Sequence, residues 1–457
     1  MIGELIRDLV IELDKLSIPE DLNFILDFQI KNLNLSAEIG RKAIKYEYER
    51  AKKFLGDEIL SASINAAASI FYDWDDYLFA GHTGHSSVFV SQALTKDPEK
   101  FIKSVLIGNE IGGRIGILCL IGPLNGQMMS YIHGIVSCVL TEYIQGDVSN
   151  IPERFSYYIS NPNFLTYGGF MGGNTKIFSS VFPIVSGMLT SVFELGSNNF
   201  SEGGFLDLFS FSSLNEKKLE EIFSPSFFLT RTLMVKKYPA CAYIIPQIEC
   251  ALSIRDQIED IEGDVDIGKI KKIKIEYSAI NQILDKISSR FFTENFSNRI
   301  PLQFSTPLAF SLALLGKGDF NCRSYSNFIK SDLFRIYGKI QTVHNQSFTV
   351  KIIKNVLKHF HFIPMPNISK IGNILLEIVK DRAILDISPK FIFDLILNLQ
   401  GDRANPDDFQ FVFPTRVQVF YGDIVFEEEK ESHSFLARKM KKEEVEDFLK
   451  FKSLCKI

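Results

Sequence analysis

From Ile115 to Leu140 the chain carries no Asp, Glu, Lys or Arg, a run long enough to span a bilayer. Nothing else in the sequence restricts the fold so strongly, because such a run must be shielded from water by lipid or by other protein. Its content argues for protein. Pro123, Asn125, Gln127 and His133 lie within it, as do Gly116, Gly122, Gly126 and Gly134. Strongly polar groups at the centre of a span cost roughly 2 to 3 kcal/mol each in the worst cases. The run is therefore expected to form two helices deep in a large helical core, with no membrane crossing.

A core of that size needs a long chain, and 457 residues predict two or three domains. Fifty basic and 55 acidic residues are well mixed and leave a net charge of −5, so no basic footprint for nucleic acid exists. The cysteines (119, 138, 241, 250, 322 and 455) include no CxxC pair, which signals neither a zinc knuckle nor a disulfide framework. A reducing, cytoplasmic location is the simpler expectation. The opening MIGELIRDLVIELDKL reads as an amphipathic helix with acids, not as a signal peptide.

Helical spacing dominates the first 230 residues. Ile2, Leu5, Ile6, Leu9, Val10 and Leu13 form one stripe, and Ser17 with Glu20 fits a capping box for the next helix. Further helices are expected over 60–71, 98–108, 114–121, 128–144 and 177–195, with Gly-rich breaks at 167–174 and 196–204. The texture then changes. KIKKIKIEY alternates as a half-buried strand, 306–315 reads as a helix, and 416–426 as a hairpin. The fold class predicted is mainly α with an α+β part. A large helical domain over 1–230 precedes a smaller α/β domain over 231–437. That second domain holds a helical block at about 350–400, and a last helix over 438–457 is free to return to the first domain.

One packet stands out for chemistry: FYDWDDYLFAGHTGHSS, residues 71–87. Asp75 and Asp76 with His82 and His85 could form a two-histidine, one-carboxylate metal site, His82 and His85 lying on a glycine-interrupted loop. With no second ligand cluster in the sequence, the reading adopted is acid–base chemistry without metal. Asp75 and Asp76 are expected to bond to backbone amides. Lys176 in GGNTKIFSS, and Lys236 and Lys237 in VKKYPACAY, could hold a carboxylate, although isolated lysines usually snorkel at a surface. Cys241 follows that second pair, where a lowered thiol pKa is conceivable and a small buried hydrophobe is commoner. The two histidines of HFH at 359–361 are read as structural, and no GxSxG, P-loop or GxGxxG pattern occurs.

Taken in order, these segments resemble the MmgE/PrpD family, which includes 2-methylcitrate dehydratase and cis-aconitate decarboxylase. SIPEDLNFILDFQIKNL, NAAASIFYDWDDYLFAGHTGHSSVFV, IGNEIGGRIG, GGNTKIFSS, ELGSNNFSEGGF, VKKYPACAYIIPQIECAL, LQFSTPLAFSLALLGKGDF and FPTRVQVFYGD carry the likeness across nearly the whole chain. The resemblance implies a helical domain with a smaller lid, a homodimer, and a cleft between lid and body. It also implies a cofactor-independent lyase (dehydratase or decarboxylase type) or isomerase, acting on a small di- or tricarboxylate. By resemblance Asp73, His85, Lys176 and Lys236 are the candidate catalytic residues. Asp73 would orient or share a proton with His85, and the two lysines would grip carboxylates. Tyr77, Gln127, Met128, Ser130 and Cys241 are the candidate substrate-binding residues. Tyr77 stands where the family has threonine, and Met128 and Ile245 stand where it has histidines. A non-catalytic member that binds a small carboxylate or a protein partner is the alternative.

Overall fold

The computed structural model describes residues 1–120, 130–193, 202–210, 214–292, 299–360, 403–431 and 435–456. Helix α1 (Ile2–Lys15) buries Ile2, Ile6, Leu9, Val10 and Leu13, the stripe its spacing predicts. Helix α2 (Glu20–Arg41) starts at Pro19, whose extended backbone serves as the cap with no side-chain hydrogen bond. Glu20 is thus the first helical residue, and the Ser17–Glu20 capping box does not form. Next come α3 (Lys45–Ala51) and the alanine-rich α4 (Asp57–Phe71), whose small buried side chains let α2, α5 and α10 pack closely around it.

After a two-residue strand, β1 (Asp76–Tyr77), follow α5 (Gly84–Leu94), α6 (Pro98–Leu118), α7 (Ser130–Gln145) and α8 (Ile151–Ser160). Two helices were expected over 98–121, yet α6 runs unbroken through Gly108, Gly112, Gly113 and Gly116. These glycines serve close approach. A Cβ on Gly116 would collide with the carbonyl of Ala80, so the loop before α5 lies directly on α6. The described parts of the charge-free run are buried, as expected, from Ile115 to Cys119 and from Ser130 to Leu140, with Leu120 half-buried. Residues 121–129 lie outside the described residues.

Helices α9 (Tyr167–Met171), α10 (Phe178–Leu189), α11 (Glu202–Phe209) and α12 (Glu216–Ile222) complete this part. The stretch Asn174–Val192 is long and apolar enough to cross a membrane by length and composition, with 44% of it buried. It packs along α7 on one side. On the other, Phe182 and Leu189 are exposed along α10, and Val192 and Phe193 are exposed in the short turn and extended residue that follow it.

Beyond β2 (Met234–Val235) and α13 (Ile245–Glu262) the chain builds a mixed sheet. Its strands are β3 (Ile270–Tyr277), β4 (Ile340–His344), β5 (Thr415–Tyr421) and β6 (Ile424–Lys430), in the order β4-β3-β5-β6. Strand β3 turns Ile273, Ile275 and Tyr277 to the core, and β5–β6 is the hairpin expected, turning at Gly422 with φ 56°. Helix α13 covers β5 and β6, with α14 (Ala279–Ser289), α15 (Thr306–Leu315), α16 (Lys330–Tyr337) and α17 (Gln346–His359) around it. Helix α17 begins the helical block expected at about 350–400, of which 361–402 lie outside the described residues, as does His361 of HFH.

A last short strand, β7 (Phe435–Leu436), pairs with β2, which pairs with β1. Helix α18 (Lys442–Ser453) then returns to pack on α2, as the sequence allowed. The architecture is mainly α with an α+β part.

Candidate active site

Helix α4 delivers the site. It ends at Phe71, and Asp73 then adopts φ 57°, the left-handed conformation that often closes a helix and that aspartate tolerates better than most residues. Such strain in a non-glycine residue is held only where the surroundings over-determine it. Here they do. Asp73 Oδ1 lies 2.6 Å from Lys176 Nζ and its Oδ2 2.6 Å from Lys236 Nζ, with all three side chains buried. Lys176 stands on the turn before α10. It also donates to Gln303 Oε1 at 3.0 Å, and Gln303 donates back to Phe71 O at 3.2 Å. The rings of Phe170 and Phe304 flank its ammonium.

Lys236 is placed by strand pairing. Asp76 lies opposite Val235, the Lys236 amide donates to Asp75 O at 3.1 Å, and the Trp74 indole donates to Lys236 O at 3.1 Å. Upstream, a buried Glu110–Arg114 pair on α6 captures the approaching chain. Glu110 accepts from the amides of Leu229 and Thr230, and Arg114 donates to the carbonyls of Ser224 and Phe227. The IGNEIGGRIG segment, through Glu110 and Arg114, therefore works as a clamp on the chain leading into β2.

Asp75 links the lysines to the imidazoles. Its Oδ1 is 2.6 Å from Lys236 Nζ, and its Oδ2 is 2.6 Å from His82 Nδ1 and 2.9 Å from His85 Nε2. The other nitrogen of His85, Nδ1, meets Ser69 Oγ at 2.7 Å. His133 on α7 brings its ring within 5.8 Å of His85 and its Nδ1 within 3.1 Å of Ser86 Oγ.

Charge balance inside this cluster is set by contact. Burial opposes ionisation of Asp73 and Asp75, but Lys176 and Lys236 outweigh it at Asp73, and Lys236 with His82 and His85 outweighs it at Asp75. Asp73 is held below the ordinary carboxylate range and Asp75 well below it. Burial also opposes charge on both lysines. Lys236, touching two carboxylates, is nonetheless pushed up, whereas Lys176, touching one, is pushed down. Burial lowers His85 and, more strongly, His133. Asp76, buried beside Asp75, is pushed up to about 7. The result is a continuous chain of buried polar contacts from Lys176 through Asp73, Lys236 and Asp75 to His85.

No family model matches this chain, and no curated protein does either.

Of the sequence candidates, Asp73, His85, Lys176 and Lys236 come together. The lysines are fully buried rather than snorkelling, while Lys237 pairs with Glu249 near the surface. Asp73 does not touch His85, because Trp74 points the other way, against Phe448 and Phe451, and the alternation turns Asp75 inward beside the ring. The expected backbone-amide roles of Asp75 and Asp76 are accordingly not seen. Asp75 holds His82, His85 and Lys236, and Asp76 faces Gln29. His85 is not in a loop but in the first turn of α5.

Tyr77 is buried with its ring 5.8 Å from His82, and Cys241 is buried near Lys236. Ser130 opens α7 and donates to Asn163 O, with none of the cluster among its hydrogen-bond partners. Gln127 and Met128 lie outside the described residues. Sequence reasoning missed Ser69, Gln303, His133 and Lys452. Lys452 is fully buried on α18 and donates to Asn32 Oδ1, Ser36 Oγ and Trp74 O, bracing the loop from behind. A surface cavity of about 610 Å³ between α2 and α4, lined by Arg41, Lys45, Tyr48 and Asn65 among others, includes none of the cluster.

Proposed function

We propose that this chain is a cofactor-independent lyase or isomerase of MmgE/PrpD type, acting on a small di- or tricarboxylate in the cytoplasm. One observation carries the reading. Asp73, Lys176 and Lys236, from three distant segments, meet in a buried ionic cluster that Asp75 extends to His85. Buried charges are costly to assemble for stability alone. In this reading His85 moves the proton alpha to a carboxylate. Asp75, rather than Asp73, orients it. Lys176 and Lys236 take the substrate carboxylate and favour the enolate-like charge that develops. Lys236 and Gln303 come from the second part of the chain and Asp73, His85 and Lys176 from the first. The seam between 1–230 and 231–437 is thus where the substrate would lie.

The test is a panel of hydroxy-acids and unsaturated acids, followed by absorbance of a new double bond. Turnover that disappears in His85→Gln, in a protein that still folds, is the expected result. Turnover unchanged by that substitution removes His85 from its role.

A second reading, a non-catalytic carboxylate or protein binder, is favoured by a specific feature. Both ammonium groups already meet protein carboxylates, and a substrate must share or displace them. Absence of turnover over the whole panel, with citrate still binding, would select it.

The apolar patch made by Phe182 and Leu189 on α10 and by Phe193 just beyond its end supports a homodimer, because exposed large apolar side chains suit a self-complementary contact.

A further inference from the structure

Two thiols far from each other in sequence meet outside the ionic cluster. Cys322 opens the short turn Cys322–Tyr325 in the second part of the chain, and Cys455 follows α18. Their segments are joined beside the sulfurs, where the Arg323 guanidinium donates to Leu454 O at 2.5 Å. The two side chains are hydrogen-bonded to each other, and both are free thiols. They are 8% and 7% exposed, whereas Cys119, Cys138, Cys241 and Cys250 are 0% exposed. A small reagent in water therefore reaches this pair first. The environment also makes the two sulfurs unequal. The contact with the Cys322 thiol, the backbone amides of Cys322 and Arg323 and the Arg323 charge bring Cys455 down to about 7 against the effect of burial. The same contact, together with burial, pushes Cys322 up. A thiol of the first kind is the nucleophile of such a pair and one of the second kind its resolving partner.

We infer that Cys322 and Cys455 are a redox modification site, at which a hydroperoxide writes a reversible disulfide that fastens α18 to the second part of the chain. The Cys455 thiolate attacks one oxygen of the peroxide. An S–O bond forms, the O–O bond breaks, and hydroxide leaves and takes a proton to become water. Cys322 sulfur then attacks Cys455 sulfur. The S–S bond forms, the S–O bond breaks, and the Cys322 proton departs with the hydroxyl as a second water. Two thiols are oxidised by two electrons and the peroxide is reduced to two waters. Disulfides of reducing compartments are mostly of this transient kind. The bridge would join two supports of the ionic cluster. Lys452, one turn before Cys455, donates to Trp74 O, and Tyr325, in the Cys322 turn, donates to Pro239 O at 2.5 Å, just past Lys236. Its formation does not depend on the lyase reading, since it is measured without turnover.

Treating the reduced, desalted full chain with hydrogen peroxide tests it. Free thiols counted after denaturation should fall from six to four, and dithiothreitol should restore them. Peptide mapping without reductant should find the peptides of Cys322 and Cys455 joined. The oxidised chain should melt about 5 °C above the reduced one, because the bridge closes a long loop. Cys322→Ser should form no bridge and leave a sulfenic acid on Cys455 that dimedone captures. Cys455→Ser should form no bridge and leave Cys322 unlabelled at the same dose, and Cys250→Ser should bridge as the unaltered chain does. Six free thiols after peroxide, or a bridge through any other cysteine, overturns the site. Dimedone capture on Cys322 in Cys455→Ser as strong as on Cys455 in Cys322→Ser overturns the assignment of the nucleophile. Mapping of the unaltered chain decides the bridge even where a variant fails to fold.

Discussion

Asp73 is the residue on which most charge converges, with a lysine on each carboxylate oxygen and none of the three side chains in water. Removing its charge leaves two cations facing each other, so Asp73→Asn should lower the unfolding free energy by about 3–5 kcal/mol in urea titrations. A variant within about 0.5 kcal/mol of the parent would mean that the ions are not paired in solution. Two neighbours make stability depend on pH in opposite senses. Burial pushes Lys452 from 10.5 down to about 7, so between these values the unfolded chain holds the extra proton and stability rises with pH. Burial and the charge of Asp75 push Asp76 from 3.8 up to about 7, so across that interval the folded chain holds the extra proton and stability falls as pH rises. Lys452→Met should flatten the alkaline rise and Asp76→Asn the acid-side fall, each measured as urea midpoint against pH relative to the unaltered chain.

Among elements, α6 and the loop before α5 show how much the site owes to close packing. Gly116→Ala puts a methyl group into the Ala80 carbonyl and should cost about 1–3 kcal/mol, read as a lower melting temperature. If the loop carrying Asp75 and His82 shifts with it, turnover should fall in the surviving folded fraction as well. The elements themselves were legible where periodicity is strong. The α1 stripe and the alternation of β3 follow from spacing, and the 306–315 helix and the β5–β6 hairpin also form where they were read. The continuity of α6 was not legible, because glycine reads as a breaker unless its neighbour's approach is known. Nor could sequence distinguish Asp73 from Asp75. Which acid reaches both lysines and which reaches the histidines goes with one left-handed backbone angle and with the packing of Trp74 against Phe448 and Phe451 on the opposite side. Lys452 was hidden for a related reason: KKEEVEDFLKFKS looks like an ordinary solvated helix, and only its docking on α2 buries that ammonium.

For the whole molecule, the outward patch of Phe182, Leu189 and Phe193 sets the expectation for assembly. Light scattering coupled to size exclusion should give twice the chain mass, and Phe182→Glu with Phe193→Glu should give the single-chain mass without loss of helicity. A parent that runs as one chain at all concentrations would leave the patch without a partner copy. Helix α18 braces the carbonyl of Trp74 through Lys452, from the far side of the loop that carries Asp73 and Asp75. During synthesis, therefore, the ribosome must extend the nascent polypeptide past residue 452 before that loop can lock. Any intermediate released earlier would carry the complete ionic cluster in its covalent sequence yet be missing the strut that keeps it assembled.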